Sequence, residues 1–222
     1  MQIIFSSNNA KKLQEVQSIL SGFNVKSYRA FLDTIDIVEN GVTFEENAHL
    51  KAHSIYKLLE GIEGDYCVLA DDSGICVDAL NAMPGIYSAR FASIQEGAQE
   101  ILQGCFAIPQ KECSDTLNNL KLLACLEELG ITQSSASFVC VIAMHARVKG
   151  VLQQRTFRGE CEGKVFKAPL NPQAFGYDPL FIPKGYTLSM DHIQEKNSIS
   201  HRFLALQQCK DFLESLGTAN IP

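Results

Sequence analysis

The strongest constraint on the fold is an alternation of short apolar runs with segments of helical periodicity. Residues 3–5 form an apolar run, a polar turn follows, and apolar residues recur at helical spacing over residues 13–20 until Gly22. Residues 25–28 predict a weaker strand. Residues 43–59 predict a second helix, with Thr43 as its cap and Glu46 three positions later as in a capping box. The first third of the chain is therefore typical of strand–helix–strand units.

The rest of the chain is richer in strands. An apolar strand over residues 66–70 runs into the turn-like segment Asp71-Asp72-Ser73-Gly74, and residues 75–77 resume as a strand. Further on we predict a helix at 117–129, a strand at 138–144 pairing with 151–158 across Lys149-Gly150, a long loop at 167–183 and a final helix at 200–216. This order of elements indicates an α/β fold with a mixed sheet.

Composition narrows the function classes. The 222 residues suit one domain over residues 1–222, or two intimate lobes. The net charge of −6 and the pI of about 5.4 argue against binding to polymeric nucleic acid, although a local cluster of Lys and Arg still suits a small anion. With no signal peptide and no run long enough to span a membrane, we expect a cytoplasmic protein. The eight Cys form no Cys-x-x-Cys pair and no zinc pattern.

Two cationic segments stand where helices begin. Residues 7–12, Ser-Asn-Asn-Ala-Lys-Lys, lie between the first strand and the first helix, where helix N–H groups, Asn9 and Lys12 suit a phosphate. A polar turn with Asn caps and solvated lysines would explain the same residues. Lys196, His201 and Arg202 lie at the start of the final helix and suit a phosphate or a base carbonyl, although His201 is also an ordinary residue for a capping turn.

Acidic residues supply the complementary chemistry. Asp71 and Asp72 follow an apolar strand, so we expect them at its carboxyl end, where they suit Mg²⁺ and where one of them could take a proton from water. Asp71 is a further candidate metal ligand on this ground. Glu46 suits the same metal, although on this motif alone capping of the second helix is the better explanation. Arg90, after the turn at residues 84–89, is a candidate second anion clamp or a partner for the acids.

An aromatic residue beside a carboxylate completes the set. In Phe175-Gly176-Tyr177-Asp178-Pro179 the Phe ring could stack on a purine, and the Asp could accept from a ring N–H. A loop anchored in the core by Phe175 is the competing interpretation. Acids for a metal, cations for phosphate and an aromatic–carboxylate pair for a base together indicate a nucleotide-processing site.

The order of these motifs resembles that of the inosine triphosphate/xanthosine triphosphate pyrophosphatases, which remove deaminated purine nucleotides. The resemblance spans nearly the whole chain. It runs through the segments at residues 7–13, 43–48, 70–74, 84–90, 118–123, 175–179 and 196–202. It implies a long mixed central sheet flanked by helices and two lobes with the active site in the groove between them. It also implies a homodimer, Mg²⁺ and cleavage between the α- and β-phosphates.

The resemblance also assigns roles by position. It implies Glu46 and Asp72 as metal ligands, with Asp72 as the proton acceptor for the attacking water. It implies that substrate contacts come from Ser7, Asn8, Asn9, Ala10, Lys11, Lys12, Ser73, Phe175, Gly176, Tyr177, Asp178, Lys196, His201 and Arg202. The chain departs from the family pattern at Ser7, where Thr is common, at Asn8, where Gly is common, and in the uninterpreted stretch 104–115 with Cys105 and Cys113.

Three alternatives can be weighed. A pyrophosphatase for modified pyrimidine or methylated nucleotides would open with Ser-x-Ser-x-x-Arg, whereas this chain has Ser-Asn-Asn-Ala-Lys-Lys. A sensor that binds nucleotides without cleaving them would not need the acids Glu46, Asp71 and Asp72. A nucleic-acid-binding module conflicts with the negative net charge.

Overall fold

One six-stranded sheet organises the secondary structure. The computed structural model describes residues 1–33, 35, 37–168 and 174–216. The strands are β1 (Gln2–Phe5), β2 (Asn24–Ser27), β3 (Tyr66–Val77), β4 (Gln133–Val148), β5 (Val151–Phe166) and β6 (Phe181–Pro183), in the order β2-β1-β3-β4-β5-β6. The helices are α1 (Ala10–Ile19), α2 (Phe44–Leu58), α3 (Ala98–Leu102), α4 (Asp115–Glu128), α5 (Lys196–Ile199) and α6 (His201–Ser215). None of the helices in these ranges has the length and apolar character that a membrane span requires.

The sheet is mixed, as the sequence predicts. β1 pairs in parallel with β2 and with β3, so that Ile3 lies opposite both Val25 and Cys67. β5 and β6 pair antiparallel. Lys149 and Gly150 join β4 to β5 with φ of 51° and 79°, and two consecutive positive φ values are typical of a tight hairpin turn. The predicted α/β fold with a mixed sheet flanked by helices is therefore confirmed.

The chain divides into two compact units, each with its own apolar core. Unit 1 comprises Met1–Asp72, Cys140–Gly159 and the described residues from His201 onward, and its core packs β1, β3 and β4 residues against α1 and α6. Unit 2 comprises Ser73–Val139 and the described residues of Glu160–Ser200, with a core built around Phe91, Leu122 and Phe181. That the active site lies in a groove between two lobes stays a prediction from the resemblance.

The predicted start of α2 and the predicted extent of the final helix are confirmed, whereas one predicted loop is partly wrong. α2 has Thr43 as its cap, and the Thr43 Oγ1 accepts a hydrogen bond from the Glu46 N–H at 3.1 Å. The final helix runs from His201 to Ser215, close to the predicted 200–216. The predicted loop at 167–183 is partly wrong, because its last residues form β6, which pairs with β5; residues 169–173 of that loop lie outside the described residues.

β3 departs most from the sequence expectation. It continues through Asp71, Asp72, Ser73 and Gly74 to Val77, so the two acids lie inside a strand and not at its carboxyl end. The neighbouring strand β1 ends at Phe5, and the Ser6 N–H still donates to the Leu69 carbonyl at 2.7 Å. The acids therefore follow the point at which β3 loses β1 as its partner. The strand that ends beside the two acids is β1, and its carboxyl end therefore lies next to them in the sheet.

Candidate active site

The turn between β1 and α1 is organised by Asn9. The Asn9 Oδ1 caps α1 and accepts from the N–H groups of Lys11 and Lys12 at 3.0 and 3.2 Å, and the Ser7 Oγ accepts from the Asn9 N–H at 3.2 Å. Asn8 is fixed by the Tyr28 hydroxyl, which donates to its Oδ1 at 2.7 Å. Two first-turn N–H groups are thus already satisfied by the cap. Any phosphate contact of this segment, which includes Ala10, must rely more on side chains than on those two groups.

Asp71 and Asp72 face opposite sides of the sheet, because successive side chains alternate along a strand. Asp71 shares the face of Cys67 and Leu69, on which α1 and α6 pack. Asp72 shares the other face, where α2 lies. Two adjacent acids in the sequence therefore occupy two different environments. The expectation that they act as a pair on one metal ion is wrong for this geometry.

Asp71 is a buried anion between two cations. The Lys12 Nζ lies 2.9 Å from the Asp71 Oδ2, and the Arg202 Nε and Nη2 donate to the same oxygen at 3.3 and 3.2 Å. Burial alone would raise the pKa of Asp71, but Lys12 and Arg202 outweigh it, so that this pKa lies well below its ordinary value. A carboxylate already neutralised in this way is poorly suited to hold a metal or to accept a proton. The suggestion that Asp71 is a metal ligand is not supported.

Arg202 is the most buried cation of this cluster, with 3% of its side chain exposed. Besides Asp71 it contacts Glu15 on α1, whose Oε2 accepts from the Arg202 Nη1 at 2.5 Å. Burial would lower the pKa of Arg202, but Asp71 and Glu15 raise it above its ordinary value. His201 precedes it and is also buried. Lys12, Glu15, Asp71 and Arg202 together carry two positive and two negative charges.

Asp72 is oriented through both of its oxygens. The Lys51 Nζ lies 3.1 Å from the Asp72 Oδ1, and the Asn47 Nδ2 donates to the Asp72 Oδ2 at 3.3 Å. Burial raises the pKa of Asp72 above its ordinary value, with a further rise from Glu39, although Lys51 and Lys12 oppose it. A carboxylate has about four acceptor positions, so these two hydrogen bonds leave capacity for a water molecule. Of the two acids, Asp72 is the one suited to take a proton.

Glu46 lies on the same helix as the two residues that orient Asp72. Its Oε2 accepts from the Val42 N–H at 2.7 Å, so it has the capping role that the sequence left open. Within the described residues, no cluster of three or more His, Cys, Asp or Glu side chains is preformed as a metal site. The donors near α2 are nevertheless carboxylate oxygens, those of Asp72 and Glu46, and these fit Mg²⁺, which keeps several waters and substrate oxygens as ligands. The residues present are compatible with that ion.

Unit 2 brings together three of the predicted base contacts. Lys196 forms an ion pair with the Asp178 carboxylate, and its Nζ lies 5.3 Å from the centre of the Phe175 ring. Phe175 is half-buried, whereas Asp178 is buried. Phe175 is absent from the buried core of this unit, so the alternative of a core anchor is not supported.

The two residues between Phe175 and Asp178 are held by contacts within unit 2. Gly176 has a φ of 56°, its N–H donates to the Asp115 Oδ2 at 2.8 Å, and its carbonyl accepts from the Asn119 Nδ2 at 3.0 Å. Tyr177 is buried in the core, and its hydroxyl donates to the Ser88 carbonyl at 2.8 Å. The Tyr177 ring and hydroxyl are therefore occupied by packing, and a contact of this residue with the substrate stays a prediction that its side chain does not support.

The turn before Arg90 packs tightly against β3. A Cβ at Gly74 would lie 2.2 Å from the Gly85 carbonyl oxygen and 2.4 Å from the Ser88 Oγ. The Ser88 Oγ in turn accepts from the Ile75 N–H at 3.0 Å. This close approach explains why a glycine follows Ser73, which is half-buried on β3. Arg90 is half-buried in the 3₁₀ segment Gly85–Ser93.

Neither the cysteines nor a pocket in unit 2 contributes a residue that the sequence predicts for the site. All eight Cys are free thiols, and burial raises the pKa of five of them, to about 12 at Cys140 and about 11 at Cys161. A thiol with a raised pKa is seldom ionised at neutral pH, so these five Cys are poorly suited to act as nucleophiles. A pocket of about 620 Å³ in unit 2 is lined by residue 78 and residues 135–137, 162–164 and 182–186, none of them a predicted site residue.

Four residues of the unit 1 site were not singled out from the sequence as site residues. They are Glu15, Glu39, Asn47 and Lys51. Two spacing signals were available. Glu15 follows Lys12 by three positions on α1, and Lys51 follows Asn47 by four on α2, so each pair shares a helix face. No comparable signal marks Glu39, because it lies outside a helix or strand.

Comparison with known proteins finds relatives that match nearly the full chain. Residues 3–212 match the model of the Ham1 family. The chain is 38% identical over 219 residues to the dITP/XTP pyrophosphatase of Campylobacter jejuni, covering 97% of this chain and 98% of that protein. It is 38% identical over 221 residues to the dITP/XTP pyrophosphatase of Clostridium perfringens, with the same coverage.

Solved structures give the same result. A HAM1 protein from Coxiella burnetii superposes with a TM-score of 0.76 at 33% identity, and the Staphylococcus aureus Ham1 protein with a TM-score of 0.73 at 34% identity. Each alignment covers 97% of this chain and 99% of the other. Because the match in sequence and in structure extends over nearly the full length, the chain belongs to the Ham1 family.

Proposed function

We propose that this chain hydrolyses deaminated purine nucleoside triphosphates, namely ITP, dITP and XTP, to the monophosphate and pyrophosphate with Mg²⁺. Such a reaction would remove these nucleotides from the nucleotide pool. The relatives named dITP/XTP pyrophosphatase support this substrate class. The observation that carries the proposal is the environment of Asp72, a buried carboxylate with a raised pKa, oriented by Lys51 and Asn47.

In the proposed reaction Asp72 acts as the general base. It takes one proton from a water molecule as the water oxygen forms a bond to phosphorus, and the bond between the α- and β-phosphates breaks. Pyrophosphate leaves with the bonding electron pair, and the proton later passes from Asp72 to solvent. Mg²⁺, when bound by Glu46 and Asp72, would neutralise charge on the phosphate oxygens. Lys51 and Asn47 keep the carboxylate in one orientation throughout.

Triphosphate binding is assigned to the turn before α1. Lys12 supplies a positive charge whose position is fixed by the Asp71 carboxylate at 2.9 Å. Lys11 is exposed at the same helix end, where the positive end of the helix dipole also favours an anion. Ser7, Asn8 and Asn9 hold the turn in shape through the hydrogen bonds described above. Arg90 is proposed as a second contact for the phosphates.

Base recognition is assigned to two groups of residues. Phe175 would stack on the purine, and Asp178, held by Lys196, would accept from a ring N–H. The 6-oxo group of hypoxanthine or xanthine would accept from His201 or Arg202 at the start of α6. Adenine presents an amino donor at this position, and a donor cannot accept the hydrogen bond that His201 or Arg202 would offer. Such a mismatch can favour 6-oxopurine nucleotides over adenine nucleotides by a factor on the order of 10⁴.

Quaternary structure and location follow from the resemblance. We propose a homodimer in the cytoplasm, with a small nucleotide as the ligand and no nucleic acid bound, in accord with the net charge of −6. Sedimentation analysis tests the dimer. A mass of about twice 24.5 kDa is expected, and a mass of one chain at micromolar concentration would contradict it.

The test of the function separates products as well as substrates. Purified protein is incubated with Mg²⁺ and ITP, XTP, GTP or ATP, and pyrophosphate and orthophosphate are measured separately. Pyrophosphate from ITP and XTP, with little from GTP and ATP, is expected. Orthophosphate as the product would refute the cleavage position. Equal rates on all four substrates would refute the base assignment.

Two variants make this assay specific. Asp72→Asn should lose pyrophosphate release, whereas Asp211→Asn, at an exposed position on α6, should retain it. Binding of ITP by the wild-type protein without any product would favour the alternative of a nucleotide sensor.

A further inference from the structure

The segment of residues 37–42 contacts three side chains of α2 at once. Its contacts are Glu39 Oε2 with Lys51 Nζ at 3.1 Å, the Gly41 N–H donating to the Asn47 Oδ1 at 2.8 Å, and the Val42 N–H donating to the Glu46 Oε2 at 2.7 Å. The three α2 side chains are those assigned above to the orientation of Asp72 and to the metal. One short segment therefore touches every α2 side chain of the proposed site.

Glu39 shares the Lys51 ammonium group with Asp72. The Lys51 Nζ lies 3.1 Å from a Glu39 oxygen and 3.1 Å from an Asp72 oxygen, with only 12% of its side chain exposed. An ammonium group on a flexible stem has several rotamers available. Simultaneous contact with two carboxylates selects one of these rotamers, and this restricts how Lys51 approaches Asp72.

Gly41 allows the segment to approach α2 closely. A Cβ at this position would lie 2.7 Å from the Asn47 Oδ1, 2.7 Å from the Glu46 Cβ and 3.0 Å from the Asn47 backbone nitrogen. The backbone of Gly41 is not in the left-handed region, so space and not conformation requires a glycine here. Any side chain at this position must displace Asn47, Glu46 or the segment itself.

We propose that residues 37–42 are a positioning segment for the reaction, with Gly41 and Glu39 as its positioning residues. This inference rests on the proposed function, because it concerns the geometry of the proposed base and metal ligands. Neither residue touches substrate in this role. Gly41 acts through Asn47 and Glu46, and Glu39 acts through Lys51, so that Asp72 and Glu46 are presented together in one fixed arrangement.

The first experiment compares Gly41→Ala with Gly61→Ala. A Cβ at Gly61 meets nothing within 4 Å and its backbone is not left-handed, so Gly61→Ala is a matched control in the same unit. Displacement of catalytic groups by about 1 Å can cost on the order of 100-fold in rate. We expect Gly41→Ala to lower kcat for ITP by about that factor with little change in KM, because the lost interactions act in the transition state. Gly61→Ala should match the wild type.

The second readout does not depend on turnover. Binding of Mn²⁺ alone, followed by electron paramagnetic resonance, should be weaker for Gly41→Ala than for Gly61→Ala, with both variants showing the circular dichroism spectrum of the wild type. Glu39→Gln provides an independent variant if Gly41→Ala does not fold, and it should also lower kcat. Glu39→Asp, which keeps the charge, should recover part of the loss.

Each outcome decides a different question. If Gly41→Ala and Gly61→Ala are alike in kcat and in Mn²⁺ affinity, the positioning role is refuted. Wild-type kcat in Glu39→Gln would refute the part assigned to Glu39. If the wild-type protein releases no pyrophosphate from ITP, the proposed function fails, and the Mn²⁺ comparison still decides whether the segment positions the acids.

Discussion

Replacing Asp71 by Asn tests how the buried charge cluster stabilises the fold. The cluster is neutral as it stands, because Lys12 and Arg202 balance Asp71 and Glu15. Asp71→Asn keeps the size of the side chain but leaves one uncompensated positive charge. The side chains of Arg202 and Asp71 are only 3% and 2% exposed, so water cannot replace the lost carboxylate around Arg202.

The expected magnitude follows from burial. Removing one partner of a buried ion pair costs about 3–5 kcal/mol. The lower end applies here, because Glu15 remains 2.5 Å from Arg202 and because Lys12 is 20% exposed and can turn to water. A chain of 222 residues unfolds with an entropy of about 0.47 kcal/mol/K, so a loss of about 3 kcal/mol lowers Tm by about 6 °C.

Thermal and urea unfolding of Asp71→Asn measure this loss, with Glu162→Gln as the control. Glu162 pairs with Lys184 on the surface, where the two side chains are 66% and 79% exposed, so we expect no measurable change in Tm. The pKa of Asp71 is lowered in the folded protein, so its contribution is complete above the ordinary value of 3.8 and declines as the pH falls below it. A Tm within about 1 °C of the wild type at neutral pH would refute the argument.

Three further perturbations test other parts of the chain. Asp72→Asn should lower kcat by about 10²- to 10⁴-fold, the usual contribution of a general base, while Tm does not fall; retained turnover would remove Asp72 from that role. Phe175→Ala should raise KM for ITP by losing about 1–3 kcal/mol of stacking, and an unchanged KM would show that the ring does not contact the base. Burial and the neighbouring His49 and His53 lower the pKa of His145 to about 4. Since an unfolded His titrates near 6.5, the free energy of unfolding should fall by about 3 kcal/mol on acidification from pH 6.5 to 4, and His145→Asn should flatten this slope in urea titrations.

Local sequence signals predicted the parts of the fold that depend on neighbouring residues. The cap of α2 by Thr43, the turn at Lys149-Gly150 and the strand at residues 3–5 all follow from chemistry within a few positions. The strand conformation of Asp71 and Asp72 does not follow from neighbouring residues in this way. Polar residues beside a glycine are typical of a turn, and what overrides this preference is a set of partners supplied by other elements.

The sequence predicted which residue types belong to the candidate site, but not which of these residues contact one another. Asp71 and Arg202 are separated by 131 positions, and no spacing rule joins them. The sequence likewise placed Tyr177 beside Phe175 and Asp178 in one motif, although only packing decides that the Tyr177 ring belongs to the core. Motifs therefore identified which segments meet the nucleotide in the proposal. Within each segment, burial separates the residues that hold the site from those that could act on a substrate.

The different environments of Asp71 and Asp72 follow from strand geometry. Because side chains alternate along β3, the first acid meets Lys12 and Arg202 and the second meets Lys51 and Asn47. Their pKa values are thereby moved in opposite directions, downward for Asp71 and upward for Asp72. Two acids whose environments separate their pKa values in this way are suited to different tasks. A shift of β3 by one residue would exchange the two environments, so the register of β3 against β1 is itself a requirement of the proposed chemistry.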